Sequence, residues 1–171
     1  VKVSVMEVRT VGPSLGQDSK DKSVMAFTIG LSLTVLFMLA MYRMAGFVAD
    51  TALLVYVLIL LGILSALKAT LTLPSIAGVI LSIGMAVDAN ILIFDRFKEE
   101  MAAGKVLRLA VQAGFKRAFT TIFDANMTVI ITSAILFFLG SGTVKGFAFT
   151  LGLGVAVSMF TAITVSRTLL M

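Results

Sequence analysis

Long hydrophobic runs, separated by short polar breaks, make up most of this chain. Five of them each have close to the ~20 residues that an α-helix needs to cross the hydrocarbon core of a bilayer. They are too long for the strands of a membrane barrel and lack the alternation of such strands. The pattern therefore predicts five transmembrane helices, at about residues 23–42, 47–66, 73–94, 121–139 and 144–170.

The first residues follow a different pattern. Val1, Val3 and Val5 alternate with polar residues, which is the two-residue period of a β-strand. Because one strand is not stable alone, we expect this strand to belong to a domain that lies upstream. We predict that residues 1–22 are the end of that domain and a linker, and that residues 23–171 form a transmembrane domain.

The longest polar stretch lies between the third and fourth runs, from Asp95 to Thr120. Small and apolar residues recur in it at helical spacing, with basic residues around them, which predicts an amphipathic helix at about residues 98–117. Such a helix either lies on the membrane surface or is a solvated connector, and the pattern fits both. The predicted fold is an all-α membrane protein with five transmembrane helices, a short N-terminal strand and this amphipathic helix.

The composition fits lipid as the surrounding solvent. Hydrophobic residues make up 59% of the 171 residues and charged residues only 13%, too little charge to cover a water-soluble protein of this size. Cysteine and histidine are absent, so a proton relay in this chain would depend on carboxylates. The sequence contains no nucleophile triad, metal motif or phosphate-binding loop, so we expect neither enzyme activity nor a cofactor or bound metal.

The basic residues predict how the chain is oriented in the membrane. The net charge of +5 comes from residues beside the predicted helices, so topology explains it better than nucleic-acid binding. The short loops on one side carry only Lys68 and Lys145. Because cytoplasmic loops are enriched in Lys and Arg, the other side is predicted to be cytoplasmic, with the C-terminus there and the N-terminal strand outside. That side carries eight basic residues: Arg43, Arg96, Lys98, Lys105, Arg108, Lys116, Arg117 and Arg167.

Asp88 is an acidic residue within the third hydrophobic run. A charge inside the bilayer costs on the order of 3 kcal/mol, and residues kept there at that cost usually serve an ion pathway or a partner. Asp88 then either carries a proton for part of the time or pairs with a base on another chain. Both possibilities make it a candidate proton carrier, and the alternative is a neutral carboxyl that hydrogen-bonds between packed helices.

The triplet Asp-Ala-Asn occurs twice, at residues 88–90 and 124–126, in neighbouring predicted helices. The two copies are expected at matching depth, where they would form a polar pocket with Thr128 and Thr132. Asp124 lies close to the start of its predicted helix, so helix capping or packing explains it as well as a relay role does. The candidate proton pathway consists of Asp88, Asn90, Asp124 and Asn126.

Small residues recur every four positions on the third predicted helix, at Gly78, Ser82 and Ala86. Such a stripe lets another helix approach closely, so we expect helix packing there. Asp88 lies about 200° around the helix from Ala86 and therefore on a different face. We expect the same packing role for the glycines of the fifth helix, Gly146, Gly152 and Gly154.

Residues 84–100, which read GMAVDANILIFDRFKEE, closely resemble the SecD subunits of the bacterial SecDF protein-export complex, which belong to the resistance-nodulation-division superfamily. The strings VGPSLG at residues 11–16, FDAN at residues 123–126 and KGFA at residues 145–148 resemble the same family. The similarity covers essentially the whole chain and keeps the order of the motifs.

The resemblance implies an assignment of this chain to family helices two to six, together with the end of a large periplasmic domain. It implies pairing with SecF, separate or fused, and assistance to the SecYEG translocon in moving unfolded preproteins. Further implied partners are membrane lipids and YajC-like and YidC-like proteins, in the bacterial cytoplasmic membrane. The implied energy source is the proton-motive force, with H⁺ as coupling ion, Na⁺ as the alternative, and Asp88 in the ion path beside charged SecF residues.

Two other functions remain open on the residues alone. One is export of a small molecule or lipid by a related member of the superfamily, against which the full Val-Asp-Ala-Asn string argues. The other is a passive assembly module that only docks a partner, in which Asp88 would be a hydrogen-bonding residue between helices.

Overall fold

The structure, a computed structural model, describes residues 13–166 and 168, without the side chains of residues 13–17, 19 and 20. Within this part the chain is all α-helical and contains five helices long and apolar enough to cross a membrane, which confirms the predicted fold class. The predicted N-terminal strand lies outside the described residues. The helices are α1 (Pro13–Tyr42), α2 (Met44–Ala66), α3 (Leu73–Ala102), α4 (Leu107–Leu139) and α5 (Thr143–Thr161), which continues into a π-helical turn (Ala162–Ser166, the π turn).

Short turns at both ends of the bundle connect the helices. The α1–α2 and α3–α4 turns lie at one end, together with most of the basic residues, and we call this end the basic end. The α2–α3 and α4–α5 connections lie at the opposite end. The basic end is defined by Arg43, Arg96, Lys98, Lys105, Arg108, Lys116 and Arg117.

The separate amphipathic helix predicted at residues 98–117 does not form. α3 continues to Ala102 and α4 already begins at Leu107, so the polar stretch is divided between two long membrane helices. Small residues at the start of α4 pack against α3, whereas the larger apolar residues Val106 and Leu109 stay exposed. A Cβ on Gly114 would lie 2.9 Å from the backbone nitrogen of Phe97, so the two backbones are in close contact here. The buried residues in the first turns of α4 are Ala110, Val111, Gly114 and Ala118.

An ion-pair cluster holds the α3–α4 turn. Glu100 is only 5% exposed, and its carboxylate accepts hydrogen bonds from Lys105 and, at 2.9 Å, from Nη1 of Arg117. Gly104, with φ at 85°, supplies the left-handed backbone conformation that the turn needs. Charged hydrogen bonds to a buried carboxylate fix geometry, so the turn joins the two helices as one hairpin.

The first and last helices also differ from their predicted bounds. α1 begins at Pro13, so residues 13–22, expected in a linker, are its first turns. Proline suits this place because the first helical N–H has no partner within the helix. Regular α5 ends at Thr161, and the π turn follows it within the predicted fifth run.

α3 and α5 run parallel and make close contact through small residues. A Cβ on Gly78 would lie against the Thr150 hydroxyl, which donates to the carbonyl oxygen of Ser75 at 2.9 Å. One turn further along, Ser82 is fully buried and faces Gly154. Contacts of this kind hold membrane helices together where water supplies no hydrophobic drive.

α2 joins this core through a hydrogen bond. The buried Tyr56 hydroxyl of α2 donates to Ser82 Oγ of α3 at 2.7 Å, and Ser82 in turn donates to the carbonyl of Val79 at 2.8 Å. α1 packs mainly against α2, where a Cβ on Gly46 would lie against the carbonyl oxygen of Met38. The rest of α1 and most of α4 have exposed apolar side chains, which only lipid or another protein can cover.

Candidate proton site on the third membrane helix

Asp88 lies in the middle of α3, on a face that no described helix covers. About 20 Å of helix extends on each side of it at 1.5 Å per residue, so this residue lies within an apolar layer about 30 Å thick centred on the bundle. Its carboxyl has no hydrogen-bond or ion-pair partner among the described residues. The side chain is thus at membrane depth and open toward the outside of this chain.

The exposed side of α3 around Asp88 leaves room for a neighbouring helix. Gly84, one turn earlier on the same side, is also exposed, and a Cβ there would meet nothing within 4 Å. Ala86 and Asn90 are buried on the other side of the helix. We call the face of α3 that contains Gly84 and Asp88 the acid face.

A groove of about 160 Å³ between α3 and α4 lies beside Asp88. Asp88 and Ala89 line it from α3, and Thr121 and Asn126 line it from α4. Asn126 is only 5% exposed, so its amide is held between the helices. The structure therefore brings Asp88 together with Asn126 rather than with Asp124.

Asp124 lies at the same depth as Asp88 but on the exposed surface of α4. The contact between Gly114 and Phe97 sets the register of these antiparallel helices, and Asp88 is nine residues from Phe97 while Asp124 is ten from Gly114. The two carboxyls are therefore level to within about 1.5 Å. The alternative that Asp124 caps a helix is wrong, because α4 begins at Leu107 and Asp124 lies in its interior.

The predicted pocket does not include the two threonines. Thr128 Oγ1 donates to the carbonyl oxygen of Asp124 at 3.0 Å, and Thr132 Oγ1 donates to that of Thr128 at 2.8 Å. Both side chains are exposed on α4 and do not line the groove. Bonding to their own helix satisfies the hydroxyls without a second helix.

Asn90 belongs to a different contact from Asp88. It is 4% exposed, and its Oδ1 accepts a hydrogen bond from Ser166 Oγ at 2.6 Å. Its Nδ2 donates to the carbonyl oxygen of Ala86 at 3.3 Å. The amide thus links α3 to the π turn, in a bond buried on the side of α3 away from the acid face.

The bond between Asn90 and Ser166 gives a stability prediction. We expect Asn90→Ala to lower the free energy of unfolding by about 1–3 kcal/mol, because Ser166 then lacks its partner in the interior. The Ser166→Ala and Asn90→Ala effects should not add, with a coupling of about 1 kcal/mol in denaturant unfolding of the purified protein in detergent.

The matched control for this cycle is Ser133→Ala. Ser133 is buried like Ser166, but its Oγ has no hydrogen-bond partner among the described residues, so its removal should leave stability nearly unchanged. Additive effects of the Asn90 and Ser166 substitutions would contradict the role of this bond in packing.

Two polar features of the structure were not among the candidate site residues. Asp50 lies within the second hydrophobic run, and an acidic residue among apolar ones could have identified it as a candidate site residue from the sequence. At the basic end, Tyr42 Oη donates to Asp95 Oδ1 at 3.3 Å, and Lys98 Nζ lies 4.2 Å from the centre of the Tyr42 ring. These contacts at the basic end join α1 to α3.

The described part of the chain contains no group of three or more His, Cys, Asp or Glu side chains that could together hold a metal ion. Asp50, Asp88 and Asp124 lie on three separate helices. The chemistry that this arrangement supports is binding and release of a single small cation, such as a proton, at individual carboxyl groups.

Comparison with known proteins identifies the family. The sequence profile described as "Protein export membrane protein SecD/SecF, C-terminal" matches residues 1–171. The chain is 62% identical over 170 residues to the protein translocase subunit SecD of Acidaminococcus fermentans, covering 99% of this chain and 41% of that protein. It is 55% identical over 169 residues to SecD of Synechocystis sp., covering 99% of this chain and 36% of that protein.

A solved structure agrees with the sequence comparison. The chain superposes with a TM-score of 0.91 on the crystal structure of SecDF, a translocon-associated membrane protein from Thermus thermophilus, at 44% sequence identity. The match covers 95% of this chain and 23% of that one. This chain thus spans about two-fifths or less of the relatives it matches, and it corresponds to their C-terminal membrane region. We conclude that the chain belongs to the SecD/SecF family of protein-export membrane proteins.

Proposed function

We propose that this chain is the membrane part of a SecD-type translocase subunit, in which proton binding at Asp88 drives protein export. The observation that carries the proposal is an acid at membrane depth on a face that the chain itself leaves uncovered. The names of the relatives, protein translocase subunit SecD and translocon-associated SecDF, supply the process to which the site would be coupled.

The free-energy cost of a charge in lipid makes it unfavourable for the acid face to contact lipid alone. Ionised Asp88 in contact with acyl chains would cost on the order of 3 kcal/mol. A partner that covers Gly84 and Asp88 removes this cost by offering a base or a water-filled path. The SecF half of the complex is the proposed partner, because the similar Thermus chain contains it together with SecD.

Proton exchange at Asp88 gives the partner interface two states. The neutral carboxyl packs as an uncharged group beside Asn126, whereas the carboxylate requires a positive charge or water nearby. Each proton that passes therefore shifts the preferred arrangement of α3 against the partner. In the proposed cycle this shift moves the extracytoplasmic domain, which holds or pulls the unfolded preprotein as it leaves the translocon.

The proposed orientation places the basic end in the cytoplasm. Positive residues are concentrated in its two turns and in the adjoining parts of α3 and α4, and positively charged segments beside membrane helices tend to remain on the cytoplasmic side. The C-terminus then lies in the cytoplasm, and the start of α1 lies on the outer side of the bacterial inner membrane.

The test is Asp88→Asn in the full-length subunit within its assembled export complex. The substitution keeps the size and polarity of the side chain but removes its titration. We expect preprotein translocation into inverted membrane vesicles to lose its stimulation by a proton gradient, while the gradient-independent part and complex assembly are unchanged. Asp88→Glu, which restores a carboxyl, should recover part of the stimulation.

Asp21→Asn is the matched control. It removes an exposed carboxylate near the start of α1, at the end of the bundle opposite the basic end, and should leave stimulation intact. Full gradient dependence in Asp88→Asn would rule out Asp88 as the coupling residue. Failure of that variant to assemble would favour the passive assembly module instead. Stimulation by a sodium gradient in place of the proton gradient would replace H⁺ with Na⁺ as the coupling ion.

A further inference from the structure

A second carboxyl lies in the interior of the bundle without any partner. Asp50 of α2 is 8% exposed, and neither of its carboxyl oxygens has a hydrogen-bond partner among the described residues. Among the described residues, Ser133 Oγ is the one other buried side-chain oxygen without a hydrogen-bond partner. A buried polar group is nearly always hydrogen-bonded in a folded protein, so an acid with two unpaired oxygens calls for an explanation.

Asp50 lies at the same depth as Asp88. The hydrogen bond between Tyr56 and Ser82 sets the register of the antiparallel helices α2 and α3. Asp50 is six residues from Tyr56 and Asp88 is six residues from Ser82, both toward the basic end. Together with Asp124, the two acids form one layer of carboxyls at a single depth, which we call the carboxyl layer.

The helices around Asp50 supply no described positive charge at this depth. α2 contacts α1, α3, α5 and the π turn. The π turn reads Ala-Ile-Thr-Val-Ser, and the one basic residue of α5 is Lys145 near the opposite end. α1 contributes Tyr42, with Arg43 after it, at the basic end, and α3 contributes Asp88 on its outer face. Arg167, which follows the π turn in sequence, lies outside the described side chains.

An unpaired carboxylate in such surroundings is costly. Without a hydrogen bond or counter-charge the ionised form loses several kcal/mol of hydration, whereas the neutral acid loses far less. In this arrangement of the helices Asp50 therefore holds its proton. The carboxyl can ionise only after a change in packing brings water or a positive charge to it.

The π turn is the element whose movement would provide such a change. π-helical segments are rare and occur frequently at functional sites. One described side-chain bond, from Ser166 to Asn90, fixes this turn to α3. A cavity of about 550 Å³, lined by Gln112 and Lys116 among others, reaches Ile163 in the π turn. The cavity is lined from α3, α4 and the π turn, so its water would reach Asp50 of α2, as the acceptor of its proton, once that turn moves.

We propose that Asp50 is a second proton-binding group of the bundle, which holds its proton while the π turn packs against α2 and releases it to water when that turn moves. The proposal rests on the proposed function, since it adds a second site to the same proton-driven cycle. Asp88 then exchanges protons at the partner interface, and Asp50 exchanges them in the interior at the same depth.

Infrared difference spectroscopy of the purified full-length complex at neutral pH tests the protonation. The carbonyl-stretch band of a neutral buried carboxyl should be present in the unmodified protein, lose the Asp50 contribution in Asp50→Asn and stay unchanged in Asp21→Asn. Because a neutral Asp88 would contribute to the same region, the comparison is repeated in Asp88→Asn. Absence of any loss of the band on replacing Asp50 in either background would overturn the proposal. So would a band that appears only in Arg167→Gln, because Asp50 would then be an anion paired with Arg167.

Deuterium exchange of the same band tests the role of the π turn. Ser166→Ala removes the bond to Asn90, so the shift of the Asp50 band in heavy water should become several-fold faster. Ser133→Ala is the control and should leave the rate unchanged. An unchanged rate in Ser166→Ala would show that the π turn does not control access to Asp50.

The export assay separates this proposal from the previous one. If Asp88→Asn keeps gradient-driven export, the proposed function fails whatever the Asp50 band shows. If Asp88→Asn loses it while Asp50→Asn keeps both the band and full gradient-driven export, only the second proton site fails. Loss of the band and of gradient-driven export in Asp50→Asn supports both.

Discussion

Gly154→Val is expected to prevent the bundle from folding. A Cβ at residue 154 would lie against the Ser82 side chain, 2.5 Å from its Cβ, and 3.1 Å from Tyr56 Oη. Both neighbours are fully buried and hydrogen-bonded to each other, so neither can move without breaking that bond. The expected cost is about 3 kcal/mol or more, at the upper end for overpacking, plus about 1 kcal/mol for the lost hydrogen bond.

The measurement is the amount of folded protein recovered from membranes in mild detergent, together with its thermal unfolding. Gly62→Val is the matched control, because Gly62 also lies in the interior of a membrane helix but a Cβ there meets nothing within 4 Å. It should accumulate like the unmodified protein. Normal accumulation of Gly154→Val would mean that α2, α3 and α5 do not meet as described.

Gly84→Leu is expected to weaken the proposed complex with the partner at least about tenfold while leaving this chain folded. A leucine side chain at residue 84 would meet only open space in the isolated chain. Leucine also stabilises a helix by about 1 kcal/mol relative to glycine. On the acid face, however, it stands one turn from Asp88 and would hold a partner helix away from the carboxyl. We expect at least about a tenfold loss of affinity for the partner, which corresponds to about 1.4 kcal/mol.

Copurification of the full-length subunit with its partner, alongside the yield of the subunit itself, measures this effect. Gly30→Leu provides the comparison, because Gly30 of α1 also has nothing within 4 Å of a built Cβ but lies far from Asp88 in sequence and on another helix. A complex that tolerates Gly84→Leu would indicate that lipid or water, rather than a protein, covers the acid face.

The three acids of the carboxyl layer have different surroundings at one depth. Asp50 is enclosed, Asp88 borders a groove and Asp124 is exposed on α4. This difference in surroundings underlies the proposed roles, with Asp88 at the partner interface and Asp50 in the interior.

The sequence alone determined the five membrane helices and the depth of Asp88. Apolar length is a property of each segment by itself, since a helix in lipid satisfies its own backbone hydrogen bonds. The same reasoning placed Gly78, Ser82 and Ala86 on a face different from that of Asp88, because the helical repeat fixes angles within one element. The family resemblance likewise rested on short strings read along the chain, above all residues 84–100 together with residues 11–16, 123–126 and 145–148.

Only the tertiary structure decided which polar groups meet. The two Asp-Ala-Asn triplets look equivalent in sequence, yet Asn90 bonds to Ser166 while Asn126 lines the groove beside Asp88. The polar stretch after Asp95 forms the ends of two helices, because Gly114 of α4 packs closely against Phe97 of α3 across the hairpin. Such contacts join residues far apart in the chain, and their energies depend on packing between helices that a single segment does not encode.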